Sequence, residues 1–471
     1  MGATSRPPVE DRVMRGIPAV DESKPIWQTM GVFLVPLVLA SFLQSAGATL
    51  NSIFLGRMIG VGALAVVSSV FPIVFFLISF LIGIGSGSSV LIGQAKGAGD
   101  LARMKAIAGT TLALSLALGI VVAMVGSLAT EPILSAMGTP PDILVAATSY
   151  ARILFVMFPI LFVYLSYTTF IRGTGDSATP FYFLVVSTVV SFIVTPALIQ
   201  GWLGLPRLGI NSAAYAGIVA YVVALAALVV YLRLRRHPLA FDREVAGHFT
   251  FNWPILKAVV RIGLPTGLQL VLVSLSEIAV ISFVNHFGSR ATAAYGAVNQ
   301  VVSYVQFPAI SVGIATSIFG AQAIGARRLD RLRGIVRSAI ALNYLTMGVL
   351  IAIVYAFSWV VLGLFIIDAP TLDIAHSLLM ITLWSYAIFG NSAVISGIMR
   401  SSGTVLWPTL ISLVAIWGVE VPVAYLLSRG ALGLNGIWYS YPVAFLCSLT
   451  GNFIYYRYFW LRKKISAVLP T

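Results

Sequence analysis

Along this chain the apolar residues do not alternate with polar ones; they run on in long blocks separated by short polar breaks. A helix of about twenty apolar residues crosses the ~30 Å hydrocarbon layer of a bilayer, so each block is read as one span. Twelve are predicted, at 29–55, 61–94, 106–129, 144–171, 178–200 and 212–232, then at 257–286, 292–323, 336–366, 374–399, 405–427 and 434–458. A membrane β-barrel would instead show short alternating segments, and none is visible. Residues 1–28 are polar, mixed in charge and rich in proline, and they read as a cytoplasmic tail rather than a signal peptide. A second polar tail is expected over 459–471.

Composition strengthens this picture. The chain is 59% hydrophobic and 9% charged, whereas a soluble protein carries about a quarter of its residues as charges. Its net charge of +14 is unevenly placed. Of 29 Lys and Arg, only Arg57, Arg152, Arg207, Arg290 and Arg429 fall at the odd-numbered connections. Positive charge marks the cytoplasmic face, which puts both termini inside and explains the basic loops without a nucleic-acid partner. The lone cysteine, Cys447, lies in the last apolar run and reads as a small buried hydrophobe.

An internal repeat sets the architecture. Gln94-Ala95-Lys96-Gly97-Ala98 closes the second span, and Gln322-Ala323-Ile324-Gly325-Ala326 closes the eighth, 228 positions later. The same offset relates Arg172, Gly175 and Pro180 to Arg400, Gly403 and Pro408. Two ordered motifs in register at equivalent loops indicate a duplication. Each half has six spans and therefore one orientation, giving parallel, pseudo-symmetric lobes at 29–232 and 257–458, joined by a basic linker at 233–256. A substrate site is expected between such repeats.

Two acids lie deep in apolar segments. Glu277 sits at the centre of Leu268–Phe287, and Glu420 lies in a similar setting just ahead of Pro422. A charge at the centre of a span costs ~2.5 to 3.5 kcal/mol on insertion scales, so it is rarely there without a role. A desolvated carboxyl group favours its neutral form, which makes Glu277 a proton-binding candidate. The alternative is a pairing with a neighbouring donor that locks helices together. Glu420, at a similar depth, either shares a proton with Glu277, forms an ion pair or caps backbone beside a bend at Pro422. Gln269 and Ser274 extend the polar stripe of Glu277. Asn299, Gln300 and Asn391 are candidate cavity residues, for which interhelical hydrogen bonding is the competing account.

The order of QAxGA, then RGTGDxxxP at Arg172–Pro180, then the RSSG variant at Arg400–Gly403, resembles the multidrug and toxic compound extrusion (MATE) transporters. The resemblance covers all twelve spans. It implies an all-α integral membrane fold of two six-helix lobes, and export of amphipathic, often cationic compounds driven by H+ or Na+ entry. The motif residues Gln94, Gly97, Gln322 and Gly325, with the paired Arg, Gly and Pro positions, are read as setting loop geometry. Some branches of the family carry a coupling glutamate in the seventh helix, which Glu277 resembles. The first lobe departs from the pattern. Many bacterial members have an aspartate where this chain has Asn51, and an asparagine and an aspartate where it has Ser191 and Thr195 ahead of Pro196. Asn51, Ser191, Thr195 and Gln44 can line a cavity or offer oxygens to Na+, but none titrates.

The reading is a multi-pass transporter of the inner (plasma) membrane, expected as a monomer, exchanging small-molecule cargo for H+ through Glu277 with Glu420. A Na+-coupled exporter and a lipid-linked saccharide flippase of related fold are the alternatives. No metal or organic cofactor is expected. No HExxH site, nucleophile elbow or Walker A lysine points to an enzyme.

Overall fold

The computed structural model describes residues 25–469, and among them every regular element is helical, with no strand. Twelve long helices follow in order: α1 Ile26–Met58, α2 Val61–Gly97, α3 Leu101–Ala136, α4 Pro141–Gly173, α5 Ala178–Gln200, α6 Asn211–Leu234, α7 Trp253–Asn285, α8 Ser289–Gly325, α9 Arg331–Ala356, α10 Ala369–Arg400, α11 Leu406–Ser428 and α12 Leu434–Ile454. The first eleven are long and apolar enough to cross a membrane. The twelfth, 21 residues with several tyrosines, serines and asparagines, continues in π geometry through Tyr455–Trp460. The polar tail expected ahead of α1 lies outside the described residues as far as position 24.

The chain forms two compact units. The first is Leu39–Gly263, and it takes in residues 253–263 of α7, whose Val259 and Gly263 pack on Gly87 and Gly83 of α2. The second joins residues 25–38 to 264–469; in it Phe33 of α1 meets Phe319 of α8 edge to face at 5.6 Å. Beside each boundary the helix carries a proline, Pro36 in α1 and Pro265 in α7. Proline has no N–H to give to the preceding turn, so each helix, though continuous, lacks one ladder hydrogen bond where it passes from one unit to the other.

Within each unit the duplication is visible as a packing register. In the first unit α2 meets α4 where Gly85 faces Thr169, and where a Cβ on Gly173 would lie 2.8 Å from the Ser89 carbonyl and 3.3 Å from Ile92. Shifted by 228, the same positions meet in the second unit. Gly313 faces Gly397 so closely that a Cβ on Gly397 would collide with the Gly313 carbonyl, and a Cβ on Gly320 would lie 2.8 Å from Ser401 Oγ. The small residue changes sides between Ile92 with Gly173 and Gly320 with Ser401. Small residues at such crossings let helix backbones approach closely.

The turns after α4 and α10 behave as the motifs predict, with Gly175 at φ 85° and Gly403 at φ 79°, in the left-handed region that favours glycine. Lys96 donates to the Thr174 carbonyl, tying the end of α2 to the first turn. In the first unit the linker folds back over this end. Lys105 pairs with Asp242 at 2.7 Å and with Glu244, and Arg233 donates to the Phe241 carbonyl. In the second unit Val468 closes over Gly403, and Trp460 Nε1 donates to Ser402 Oγ at 2.9 Å.

Three irregularities separate the helices from the simplest reading of the pattern. The ninth apolar block ends as a helix at Ala356 and resumes as a separate turn, Ser358–Gly363, because 26 residues already span ~39 Å at ~1.5 Å per residue. Helix α10 breaks between Thr382 and Ser385. There the Tyr355 hydroxyl donates to the Met380 carbonyl at 3.2 Å and accepts from the Trp384 N–H at 3.1 Å, standing between two groups that would otherwise pair directly. Helix α11 widens to π geometry over Val414–Glu420, immediately before Pro422. The proline ring crowds the carbonyl four residues back, so the bend expected there takes the form of a wider turn.

Candidate functional site

Five helices of the second unit bring two acids, three tyrosines and an asparagine together. Glu277 of α7 and Glu420 of α11 are within electrostatic reach of one another. Tyr295 of α8 and Tyr386 of α10 reach both acids, and Tyr441 of α12 reaches Glu420. The Tyr295 and Tyr441 hydroxyls are bonded at 2.9 Å, Asn299 lies one turn along α8 from Tyr295, and the Tyr295 ring stacks on Trp438 at 5.9 Å. All three tyrosines are buried.

The two acids differ in access. Glu420 is 5% exposed, whereas Glu277 remains accessible. At 100° per residue, Glu277 shares a face of α7 with the buried Thr266, Val280 and Val284. The exposed apolar stripe Leu264, Leu268, Leu275 and Ile278 lies on the opposite face, suited to lipid. Several other acids of the chain serve the backbone. Asp100, Asp242 and Asp368 accept from backbone N–H groups at helix starts, as does Asp176 before α5. Glu277 and Glu420 cap nothing. Among the described residues neither has a Lys, Arg or His within ion-pair distance, and neither accepts a hydrogen bond. Two carboxyl groups in one apolar setting resist ionising together, so their protons are linked.

This geometry stands beside four similarities. The MatE family model matches residues 36–197 and 265–426, one copy in each half of the chain. A "Probable multidrug resistance protein YoeA" of Bacillus subtilis is 54% identical over 450 residues, covering 95% of this chain and 97% of its own. The chain belongs to the MatE family. The "Multidrug export protein MepA" of Staphylococcus aureus is 22% identical over 92% of this chain and 94% of its own. Among solved structures, the "Outward-facing conformation of a multidrug resistance MATE family transporter of the MOP superfamily" superimposes with a TM-score of 0.85 at 21% identity, covering 95% of this chain and 97% of the other. The protein is therefore a multi-pass membrane protein of a transporter family rather than an enzyme of known class.

The first unit of this MATE chain offers a different set. Helices α1 and α5 meet where Gly47 faces Thr188 and where the rings of Phe54 and Phe192 cross at 6.2 Å. Asn51 and Thr195 lie on those meeting faces, and Asn51 Oδ1 and Thr195 Oγ1 are both buried without a hydrogen-bond partner. Ser191 is half-buried on α5, and Gln44 is exposed on α1.

The remaining sequence candidates divide. Asn391 is committed to a network, accepting from Asn343 Nδ2 at 3.0 Å and donating to the Tyr344 hydroxyl at 2.7 Å. Gln269 faces Thr409 of α11 at 3.5 Å. Ser274 and Gln300 are half-buried on α7 and α8. The tyrosines were not singled out from the sequence, because an aromatic in an apolar run reads as hydrocarbon. The available signal was the polar end: a buried tyrosine needs a partner for its hydroxyl, and Tyr295 lies one turn before Asn299.

Proposed function

We propose that this chain is a secondary active exporter of amphipathic, cationic compounds, exchanging them for H+ with Glu277 and Glu420 as the coupling site. The observation that carries the reading is the acid pair itself: two neighbouring carboxyl groups inside one helical unit, with no cation among the described residues to neutralise them. Substrate binds while the pair carries charge, and protonation from outside lowers that affinity and biases the transporter outward. Release of the proton inside resets it. The coupling is a difference in affinity between two states, as thermodynamics requires. The relatives named for multidrug resistance and export support the cargo class, and the driving force, ~2.3 kcal/mol per charge per 100 mV, is sufficient for concentrative export.

Na+ coupling is the second reading, and the unpartnered oxygens of Asn51 and Thr195 favour it, because carbonyl and hydroxyl oxygens are ligands that a hard cation accepts. Reconstitution in liposomes with pH and Na+ gradients imposed separately distinguishes the two. Export of an organic cation such as ethidium under a pH gradient alone is the expected result. A response to Na+ alone overturns the proton reading and moves the site to Asn51 and Thr195.

A further inference from the structure

We propose that Trp417 is a positioning residue for the acid pair: its indole ties the wide turn of α11 to α7 and so keeps Glu420 level with Glu277. This deepens the coupling role argued above and rests on it. Helices α7 and α11 touch on either side of the two acids. Ahead of them, Trp417 Nε1 donates to the Leu272 carbonyl at 3.1 Å, and Thr409 faces Gln269 at 3.5 Å. Beyond them, the Phe283 and Tyr425 rings meet at 5.7 Å, and the Arg429 guanidinium covers the Tyr425 ring at 4.2 Å. Glu277 stands five residues after Leu272 and six before Phe283, and Glu420 stands three after Trp417 and five before Tyr425. The two contacts therefore bracket both carboxyl groups at one level of the unit.

The turn that Trp417 ties is not an ordinary helix. Over Val414–Glu420 α11 follows π geometry, and the Val421 N–H bonds the Ile416 carbonyl five residues back. The next bond of that series would run from residue 422 to the Trp417 carbonyl, and Pro422 has no N–H to give. The wide turn thus ends one backbone bond short, at the residue whose side chain reaches α7. Relaxing it by one residue toward α geometry would turn Glu420 by about 100° or pull Tyr425 away from Phe283. Packing at the turn does little to prevent this: Trp417 is 40% exposed, and a Cβ on Gly418 would meet only Val414 of α11 itself. The bond to Leu272 does prevent it, because an indole N–H in hydrocarbon has no water to turn to instead. Trp417 neither gains nor loses a proton in this scheme; it acts through Glu420.

The test is Trp417→Phe, alone and combined with Glu420→Gln, in liposomes, reading the pH at which proton-driven ethidium transport is half-maximal. The other titratable groups facing one or both acids are Tyr295 of α8, Tyr386 of α10 and Tyr441 of α12, and a tyrosine's ordinary value of about 10 keeps them out of the measured range. A second carboxyl group nearby makes the first harder to ionise, so Glu420→Gln should move the midpoint toward lower pH by about one unit. Trp417→Phe lets Glu420 drift and should move it the same way by about half as much. In the Glu420→Gln background it should add nothing. Trp407→Phe removes an indole that stacks on Tyr455 at 5.5 Å, and it should leave the midpoint in place. The sulfur isostere of tryptophan at position 417 keeps both rings and lacks only the N–H, so it should reproduce the displacement without disturbing the packing. An unmoved midpoint in either position-417 variant, an equal displacement with and without the Glu420 carboxyl, or an equal one from Trp407→Phe overturns the proposal. The underlying reading fails separately, if Glu277→Gln leaves proton-driven transport intact.

Discussion

The two units descend from one plan and differ in how they fill equivalent positions. Counted from the motifs, the positions of Tyr295 and Tyr386 correspond to Val67 and Phe158. Gly209 and Gly433, at φ 54° and 53°, open the last helix of each unit and align Tyr441 with Gly217. Val67 and Phe158 belong to the apolar core of the first unit, with Phe158 fully buried. One unit fills this place with hydrocarbon, and the other fills it with hydroxyls beside two acids. Buried polar groups stabilise little at best, and the first unit shows that the architecture does without them. The hydroxyls of the second unit are what the proposed coupling role would account for.

The hardest way to break this comparison is to remove its chemistry. Glu277→Gln keeps the volume and loses the titration, and it is expected to reduce proton-driven export about 150-fold or more, the upper range of coupling free energies. Asn51→Ala in the first unit should change it less than about threefold. Efflux from everted vesicles under an imposed pH gradient measures both. Equal losses would mean that both units couple, and the asymmetry would be gone.

Packing offers the next test. Placing the first unit's residue in the second, Gly397→Thr, drives a side chain into the Gly313 backbone, and overpacking of this kind costs about 2 to 3 kcal/mol. The reverse exchange, Thr169→Gly, meets only the open side of Gly85 and should cost about 1 kcal/mol, largely in backbone entropy. Thermal unfolding in detergent ranks the two. A tolerated Gly397→Thr would show that the α8 and α10 backbones stand further apart than these contacts imply.

Much of this architecture was legible in the sequence. Uninterrupted apolar runs fixed the helices, and the motif pairs at Gln94 and Gln322, and at Arg172 and Arg400, exposed the duplication. Glu277 and Glu420 stood out because a carboxyl group in hydrocarbon has no passive reason to be there. What hydropathy does not encode is which face of a helix meets which neighbour. Tyr295, Tyr386 and Tyr441 sit on three separate helices, and nothing local distinguishes them from Tyr164 or Tyr221. Asn391 showed the reverse: a polar residue in a span whose partners, Asn343 and Tyr344, lie on another helix. The break in α10 was hidden for the same reason, since its cause is a hydroxyl borne by a different element.

The segments that follow the last helix of each unit provide a pH-dependent contrast. In the linker, burial pushes His237 down to about 4, with Lys96 adding to the effect and Asp176 opposing it. Its Nδ1 accepts from the Leu239 N–H at 3.1 Å, which requires the unprotonated nitrogen. Between pH 4 and 6.5 the unfolded linker binds more protons than the folded one, so linker stability falls as pH drops through that window. The loss is about 2 kcal/mol after allowance for partial exposure. Hydrogen-exchange protection factors over residues 237–248, taken relative to the intrinsic rate at each pH, should fall between pH 7 and pH 5, and His237→Gln should flatten the response. Residues 461–469, which close over Gly403 in the second unit, contain no histidine and should not change over the same range.

The smallest effect concerns helix continuity. Helix α4 runs unbroken over 33 residues in spite of Pro159, whereas α10 breaks without a proline. If the Tyr355 hydroxyl causes the break, Tyr355→Phe frees the Met380 carbonyl and the Trp384 N–H to bond each other, and α10 straightens. The exchange replaces two hydrogen bonds with one, a net change of about 1 kcal/mol. Amide exchange at Trp384 is the sensitive readout, because its N–H moves from a side-chain acceptor into the helical ladder and should become better protected. Unchanged protection would place the cause of the break in the packing around Leu383 instead, and α10 would then bend for the same kind of reason as any helix fitted to its neighbours.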